Sequence, residues 1–491
     1  MLKGHTSHKA VAEETKAAET AKATRENPFT ALWNALVARN GTVAYFPIIF
    51  VAILMFCGAS WQIFWSSTDA ARYQCYALIF WLGGGATKLL PQTQCLFLNS
   101  AAISSAPFHT LPLEYPPLTL AIFSLSLLAP IPYYQLLFAL WMALTAVLIY
   151  WLLLRYGPRG SALAFAFYAL VGAWATAEGR FDMVPAALTL LCLIAAERKH
   201  WTAAYVALVF GVLLKIYPIL FLPALFIAEQ HDAQTFHIPS PSLTLKTAPI
   251  ELWRTLREVR HWRWNNTLLF LGLLVGITGV FALIDFQGAV VSQVTYFAHR
   301  PVQIESTGST LLWIATKFGY PAHVVYTFGS LNIISRWDNR VSLLFEVAFL
   351  LGYAYTLLLQ WRGKIDLVQS CIALLLVFIA GGKVFSPQYL IWIIPLLAYN
   401  GAYDIFWLPV WGIISLLTTI IYPYLYTRTH NILLVQNVPG FVQIVGVRDA
   451  LFVFITLAYL FNWFDVRRRK SLPPELTGKE TRPLYATDMR K

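Results

Sequence analysis

The chain has 491 residues, of which 58% are hydrophobic and only 12% are charged. Soluble proteins carry about 25% charged residues, so a chain this apolar cannot cover a water-facing surface. The composition excludes a soluble enzyme, a secreted disulfide scaffold and a disordered protein, and it predicts a polytopic membrane protein. The aromatic content of 15%, which includes 18 tryptophans, fits rings seated at bilayer interfaces.

The net charge of +12 is a topology signal rather than a sign of a nucleic-acid partner, because the basic residues cluster beside apolar segments. With both termini in the cytoplasm, 25 of the 36 lysine and arginine residues lie on the cytoplasmic side. Counting 118–129 as a full span would invert this arrangement. We prefer the first interpretation, which predicts a plasma-membrane protein with an outward active site.

The hydrophilic tail 1–42 lacks the apolar core and cleavage site of a signal peptide. A transmembrane helix needs about 20 apolar residues, and this length predicts about twelve spans in an all-α protein. They are 43–65, 133–154, 161–177, 183–196, 202–214, 217–228, 267–286, 341–361, 366–382, 388–402, 404–424 and 440–463.

Two large outer loops are expected, at 66–132 and 287–340, each with a helix lying on the membrane surface. A basic loop at 229–266 and a basic tail at 464–491 are expected in the cytoplasm. The short spans 202–214 and 217–228 are interrupted before Pro218, which disfavours a helical residue ahead of it. We interpret them as a hairpin of half-length helices that lines a cavity, since irregular backbone at membrane depth needs cover from protein or water.

Asp69 follows the first span at the outer interface. A carboxylate in such a cavity is suited to take a proton from a hydroxyl, although Asp69 could instead cap the helix predicted over 70–82. In the same loop, rigid prolines flank Glu114 and Tyr115 and aim them at the membrane surface, unless this segment is only a turn. Cys75 and Cys95 share the loop and either form a disulfide or stay reduced.

Further polar residues fall at other outer junctions. Charged groups this close to hydrocarbon are expensive unless they are paired or functional, so Arg180 either forms a structural pair with Asp182 or Glu178, or Arg180 and Asp182 are part of a site. Lys215 suits a phosphate oxygen unless it snorkels to the surface, and Arg448 either binds a ligand or pairs with Asp449. The other candidates for ligand contacts are Tyr217, His299, Gln303, Glu305, Lys383 and Gln388.

These candidates all fall on, or just below, one membrane face, whereas unrelated structural charges would scatter across both. Carboxylates and cations gathered there predict a site for a phosphorylated, sugar-like or polar-headed lipid. No metal-ligand spacing, phosphate-binding glycine loop or Ser/His/Asp pattern is present in the sequence.

The order of these motifs resembles the bacterial GT-C glycosyltransferases that use polyprenyl-phosphate mannose, a group that includes phosphatidylinositol-mannoside mannosyltransferases. The matching segments after Asp69 are Tyr115-Pro116-Pro117, Gly179-Arg180-Phe181-Asp182, Leu214-Lys215-Ile216-Tyr217-Pro218, Val302-Gln303-Ile304-Glu305-Ser306 and Phe385-Ser386-Pro387-Gln388-Tyr389. The likeness runs from about residue 43 to 463.

The resemblance implies a GT-C membrane fold and transfer of a hexose, expected to be mannose, from a polyprenyl-phosphate donor to an extracytoplasmic lipid or glycan. Asp69 would be the general base of an inverting reaction. Lys215, Lys383 and Arg448 would stabilise the leaving phosphate. A divalent cation is used by some members, but no ligand set for one is evident. The alternative is a transporter or flippase of a lipid-linked sugar, for which polar midplane residues and inverted repeats are expected.

Overall fold

The computed structural model describes residues 28–39, 41–63, 68–91, 93–98, 103–236 and 248–468. Most of the predicted tail 1–42, residues 237–247 of the predicted basic loop and most of the tail 464–491 lie outside this range. Within it, six helices are long and apolar enough to cross a membrane, which makes the chain a multi-pass membrane protein. They are Thr42–Trp61, Ile131–Tyr156, Asn265–Ile284, Asp338–Trp361, Trp407–Arg428 and Phe441–Phe461.

Shorter apolar helices accompany these six, so the prediction of about twelve spans stays a prediction. The α-helices of the described residues are α1 (Pro28–Leu36), α2 (Phe46–Ile63), α3 (Asp69–Leu82), α4 (Thr119–Leu125), α5 (Tyr134–Tyr156), α6 (Ser161–Ala173), α7 (Met183–Glu197), α8 (Trp201–Leu214), α9 (Leu222–Asp232), α10 (Ala248–Arg257), α11 (Asn265–Ile284), α12 (Ser292–His299), α13 (Thr307–Thr316), α14 (Asp338–Trp361), α15 (Leu367–Ala380), α16 (Tyr389–Asn400), α17 (Trp407–Thr419) and α18 (Phe441–Phe461).

Helices α5 to α9 and α15 to α18 surround one continuous apolar core. Short turns join successive helices, which therefore run in alternating directions. The last residues of α6, α8 and α15 and the first residues of α7 and α16 lie at the same end of the bundle. The turn after α8 places Lys215 in an extended conformation, and a 3₁₀ helix at Tyr217–Phe221 leads into α9. Lys215 is therefore held at this end of the bundle by a break in the helix.

The expectation of an all-α protein is wrong in the predicted outer loop 287–340. Three antiparallel strands form a sheet in the order β1–β3–β2, with β1 at Val302–Gln303, β2 at Ala322–Thr327 and β3 at Ser330–Ser335. Phe328 and Gly329 form the turn between β2 and β3, and both have positive φ. This is the backbone of a two-residue hairpin, whose twist matches that of the strands.

The predicted first outer loop, 66–132, is closed on itself by a disulfide between Cys75 and Cys95. The short helix α4 occupies part of the stretch 118–129, and α13 contains the amphipathic stretch of the second loop. Both loops therefore carry helices, and the sheet packs beside α13 on the same side as the first loop.

Candidate functional site

Asp69 is the first residue of α3, but it does not cap that helix. The side chain of Thr68 is the cap and accepts a hydrogen bond from the backbone N–H of Ala71. The Asp69 carboxylate instead reaches across the fold, with Oδ2 at 2.7 Å from Nη2 of Arg180 and Oδ1 at 3.8 Å from Nη1 of Arg72. The ion pair with Arg180 fixes the orientation of the carboxylate.

Arg180 joins the first outer loop to the start of α16. Its guanidinium donates a hydrogen bond to Oε1 of Gln388 and lies 5.8 Å from the ring centre of Tyr422. The expected structural pairs of Arg180 with Asp182 or Glu178 are absent among the described residues, because Arg180 is already paired with Asp69.

Asp182 is paired with Lys215 instead. The Nζ atom of Lys215 lies 2.5 Å from Oδ1 of Asp182, and the indole N–H of Trp392 donates to the same oxygen at 2.6 Å. Tyr217 stacks on the Trp392 ring with centroids 4.2 Å apart, and Tyr389 stacks on that ring at 4.0 Å. Three aromatic rings therefore wall the Lys215–Asp182 pair.

Glu114 adds a third acid to the site through Arg72. Oε2 of Glu114 lies 2.5 Å from Nη2 of Arg72, which is also near Asp69. Tyr115 packs edge-on against Tyr73 of α3 and against Phe181, with ring centroids 5.6 Å and 5.3 Å apart. This aromatic contact holds the first outer loop against the turn that carries Arg180 and Asp182.

These residues form a single group of charges, which we call the charged cluster: Asp69, Arg72, Glu114, Arg180, Asp182 and Lys215. The sequence predicts all of them except Arg72 as site residues. Arg72 lies one helical turn after Asp69 on the same face of α3, and that spacing was the available signal.

Glu305 and Arg448 form a second, more buried group. Nη1 of Arg448 lies 3.6 Å from Oε2 of Glu305, and Nη2 lies 2.9 Å from Oδ1 of Asp449. The hydroxyl of Tyr426 donates to Oε1 of Glu305 at 2.6 Å. Burial raises the pKa of Glu305, and the Arg448 charge opposes that shift. Arg448 thus has the expected pair with Asp449 and is fully buried.

The remaining candidates are spread along the second outer loop and the start of α16. Lys383 lies 2.7 Å from the carboxylate of Glu346, and its backbone carbonyl accepts a hydrogen bond from the N–H of Gln303 at 2.8 Å. His299 is exposed, and the structure gives it no side-chain hydrogen bond or ion pair within the described residues. The structure therefore does not bring His299 and Lys383 into the charged cluster.

Arg300, which directly follows His299, is a further cation near these candidates. Its guanidinium donates to the Tyr296 hydroxyl at 2.8 Å and to Oγ of Ser330 at 3.0 Å. No carboxylate lies within ion-pair distance of Arg300 in the part of the chain that the structure describes. Ser330 directly follows Gly329, where a Cβ atom would lie 2.9 Å from Oε1 of Glu114, so Arg300 is close to the charged cluster.

Glu178 belongs to the same turn as Arg180 but faces a different environment. Its side chain is 1% exposed, and neither carboxylate oxygen has a hydrogen-bond partner among the described residues. Burial raises the pKa of Glu178 to about 8. Within the described ranges, no three His, Cys, Asp or Glu side chains come together to hold a metal ion.

Residues 113–236 match the sequence model of glycosyltransferase family 87. The matched segment contains four members of the charged cluster, namely Glu114, Arg180, Asp182 and Lys215. The match covers about a quarter of the chain, and it supports the resemblance to GT-C-type glycosyltransferases.

Among solved structures, the chain is similar to the crystal structure of ArnT from Cupriavidus metallidurans bound to undecaprenyl phosphate. The identity is 11% and the TM-score is 0.39, over 85% of this chain and 76% of that chain. No curated protein sequence matches the chain at a significant level.

Proposed function

We propose that this membrane protein is a glycosyltransferase that moves a hexose from a polyprenyl-phosphate donor to a lipid or glycan acceptor outside the membrane. Mannose is the expected sugar. The observation that carries the proposal is the charged cluster, because most of it falls in the segment that matches a glycosyltransferase family. All of its carboxylates and cations except the buried Asp182 are partly exposed at one end of the bundle, where a lipid-borne substrate would reach them from the bilayer.

Asp69 is the general base in this proposal. Arg180 occupies Oδ2, which leaves Oδ1 to receive the proton of the acceptor hydroxyl. The acceptor oxygen then attacks the anomeric carbon as the bond from that carbon to the phosphate oxygen breaks. The phosphate leaves on its polyprenyl chain, and attack from the face opposite to it inverts the configuration. Phosphate is a good leaving group, so no acid is required for this step.

Cations near the leaving phosphate stabilise its charge as the bond breaks. Lys215 is one candidate, as the resemblance implies, and Tyr217 with Trp392 would pack beside the lipid phosphate or the sugar. Arg300 is a second candidate for binding the phosphate, because no described carboxylate competes for its guanidinium. Hydroxyl groups of the sugar or the acceptor are proposed to be bound, directly or through these cations, by Glu114, Tyr115, Asp182, Gln303, Glu305 and Gln388. We also propose substrate contacts for His299 and Lys383 at the edge of the site and for Arg448 beneath it.

A transfer assay with purified protein, polyprenyl-phosphate mannose and a lipid acceptor extract tests the base. Asp69→Asn removes the proton acceptor but keeps the shape, and the transfer rate should fall by about 10²–10⁴-fold. Asp404→Asn is the matched control, since Asp404 caps the start of α17 at the opposite end of the bundle and Asn caps nearly as well. Equal rates in the two variants would refute the assignment of Asp69. Failure of the wild type to consume donor with any acceptor would favour a transporter.

The phosphate contacts are tested with Arg300→Gln and Lys215→Ala. Each should raise the KM for the donor by about ten- to a hundredfold, as expected for the loss of a charge-assisted hydrogen bond. Arg340→Gln serves as the control, because Arg340 is an exposed arginine of the same outer segment that packs on Trp337. An unchanged donor KM in either test variant removes that residue from the phosphate site.

A further inference from the structure

The first turn of α16 contacts both halves of the charged cluster through two neutral side chains. Gln388 is the residue directly before this helix, and Trp392 lies four positions later, so both side chains project from one face of the helix. The Oε1 atom of Gln388 accepts a hydrogen bond from Nη1 of Arg180, and the indole N–H of Trp392 donates to Oδ1 of Asp182 at 2.6 Å. Each side chain therefore holds one of the two charged residues in the turn that precedes α7.

Arg180 and Asp182 carry opposite charges and are only two residues apart, yet the structure separates them. Nη2 of Arg180 lies 2.7 Å from Oδ2 of Asp69, whereas Oδ1 of Asp182 lies 2.5 Å from Nζ of Lys215. A local pair between Arg180 and Asp182 would draw both groups away from these partners. The geometry of the site therefore depends on keeping the two residues apart.

The contact with Gln388 is fixed by hydrogen-bond chemistry. An arginine side chain has only N–H donors, so the amide atom that faces it must be the oxygen. The hydroxyl of Ser386, a residue that is 8% exposed, donates to the same oxygen at 2.5 Å and holds the amide in this orientation. Because the amide has no net charge, it binds the guanidinium more weakly than a carboxylate would. The guanidinium is thus held in place while its charge is left for Asp69.

The contact with Trp392 is the counterpart on the acidic side of the turn. Trp392 is 3% exposed, and its ring stacks on those of Tyr217 and Tyr389 with centroids 4.2 Å and 4.0 Å away. The indole N–H is therefore fixed in position, and it stabilises the carboxylate of Asp182 without adding a positive charge. The ammonium of Lys215 then has to balance less of the carboxylate charge and is held less tightly.

We propose that Gln388 and Trp392 are positioning residues with separate roles. Gln388 keeps Arg180 oriented for the proposed base, and it acts through Arg180 rather than by direct contact with a substrate hydroxyl. Trp392 stabilises Asp182, so that the ammonium paired with this carboxylate can be shared with a lipid phosphate. The proposal rests on the proposed glycosyltransferase function, and it assigns turnover to Gln388 and donor binding to Trp392.

Steady-state transfer from polyprenyl-phosphate mannose separates the two roles. Gln388→Met keeps the length of the side chain and removes the acceptor for Arg180. Its kcat should fall by about ten- to a hundredfold, as for a misplacement of about 1 Å, while the donor KM changes by less than about twofold. Trp392→Phe keeps an aromatic ring and removes the N–H donor. Its donor KM should rise about tenfold, as for the loss of one hydrogen bond to a charged group, while kcat changes by less than about twofold.

Gln388→Glu tests whether the neutral character of the amide matters. This variant keeps an acceptor for Arg180 but adds a carboxylate that competes with Asp69 for the guanidinium. Its kcat should therefore stay at least about tenfold below that of the wild type. Wild-type turnover of Gln388→Glu would overturn the role assigned to Gln388.

Two matched controls lie at the opposite end of the bundle. Gln360→Met removes a buried hydrogen bond to the carbonyl of Ala224 at 2.7 Å, and Trp407→Phe removes one to the carbonyl of Val466 at 3.0 Å. Both should lower the thermal unfolding midpoint, and neither should change kcat or the donor KM by more than about twofold. If the controls change the kinetics as much as the two test variants do, the effects are general losses of stability and the proposal is wrong.

Binding of polyprenyl phosphate to the purified protein, measured by native mass spectrometry, is a second readout that does not require transfer. Trp392→Phe should weaken this binding by about tenfold, and Gln388→Met should leave it unchanged. If the wild type transfers no sugar but the variants differ in this way, the glycosyltransferase function and the role of Gln388 are wrong, and the role of Trp392 stands. If the wild type transfers sugar and both variants alter kcat and KM alike, the positioning proposal fails alone.

Discussion

The tip of the β2–β3 hairpin touches the charged cluster at Gly329. This glycine has a φ of +67°, and a Cβ atom at this position would lie 2.9 Å from Oε1 of Glu114 and 3.0 Å from Nη1 of Arg72. Favourable contacts between heavy atoms of this kind lie nearer 3.5–4.0 Å. The substitution Gly329→Ala therefore forces the Arg72–Glu114 pair to move, in addition to straining the backbone.

A matched control separates these two effects. Gly319 has a φ of +86°, and a Cβ there would meet no heavy atom within 4 Å. Both alanine substitutions carry the penalty of a left-handed residue, about 1–2 kcal/mol. We expect both variants to lose about this much free energy of unfolding, measured in mild detergent, with Gly329→Ala the less stable of the two.

Only Gly329→Ala should change sugar transfer. Arg72 lies 3.8 Å from Asp69, so a displaced Arg72 alters the surroundings of the proposed base. A misplacement of about 1 Å can cost on the order of 10²-fold in rate, and we expect a loss of about ten- to a hundredfold in kcat/KM. If Gly319→Ala and Gly329→Ala have the same stability and the same rate, the hairpin tip does not constrain the cluster.

Two further predictions concern the outer segments. Cys75→Ala should lower the free energy of unfolding by about 3 kcal/mol, because the bridge to Cys95 closes a segment with a sequence separation of 20; Cys95→Ala should cost the same, and a double variant that loses twice as much would contradict the bridge. The raised pKa of Glu178 predicts that its contribution to stability is full below about pH 4.5 and is lost as the pH rises to about 8. Glu178→Gln should reduce the pH dependence of the thermal unfolding midpoint over this range. If the variant retains the pH dependence of the wild type, that dependence arises from other groups.

The positions of the main helices follow from the sequence because apolar length and proline are local signals. The end of α8 at Leu214 and the extended Lys215 coincide with the break expected before Pro218. The hairpin was missed although a local signal was present. Residues 322–327 and 330–335 are rich in residues that favour strands, and the Phe328–Gly329 turn lies between them.

The partners of the charged residues could not be derived in the same way. Arg180 pairs with Asp69, which is far away in the chain. Asp182 carries the same charge as Asp69 and is much nearer to Arg180 in sequence, so the sequence alone favours the wrong partner. The choice depends on the packing of Tyr115 and Tyr73 against Phe181, which brings the first outer loop over the turn after α6. Long-range packing of this kind has no periodicity that a single sequence reveals.

The charge balance of the site decides which cation is left for a phosphate. The charged cluster contains three carboxylates and three cations, and each cation has an acidic partner within 3.8 Å. A lipid phosphate that enters this group must compete with those carboxylates for every cation it meets. Among the described residues, Arg300 is held only by neutral hydroxyls, so it can bind the anion without breaking an ion pair to any of them. Lys215 can bind it only by sharing Asp182, and for this reason loss of Arg300 should weaken donor binding more than loss of Lys215.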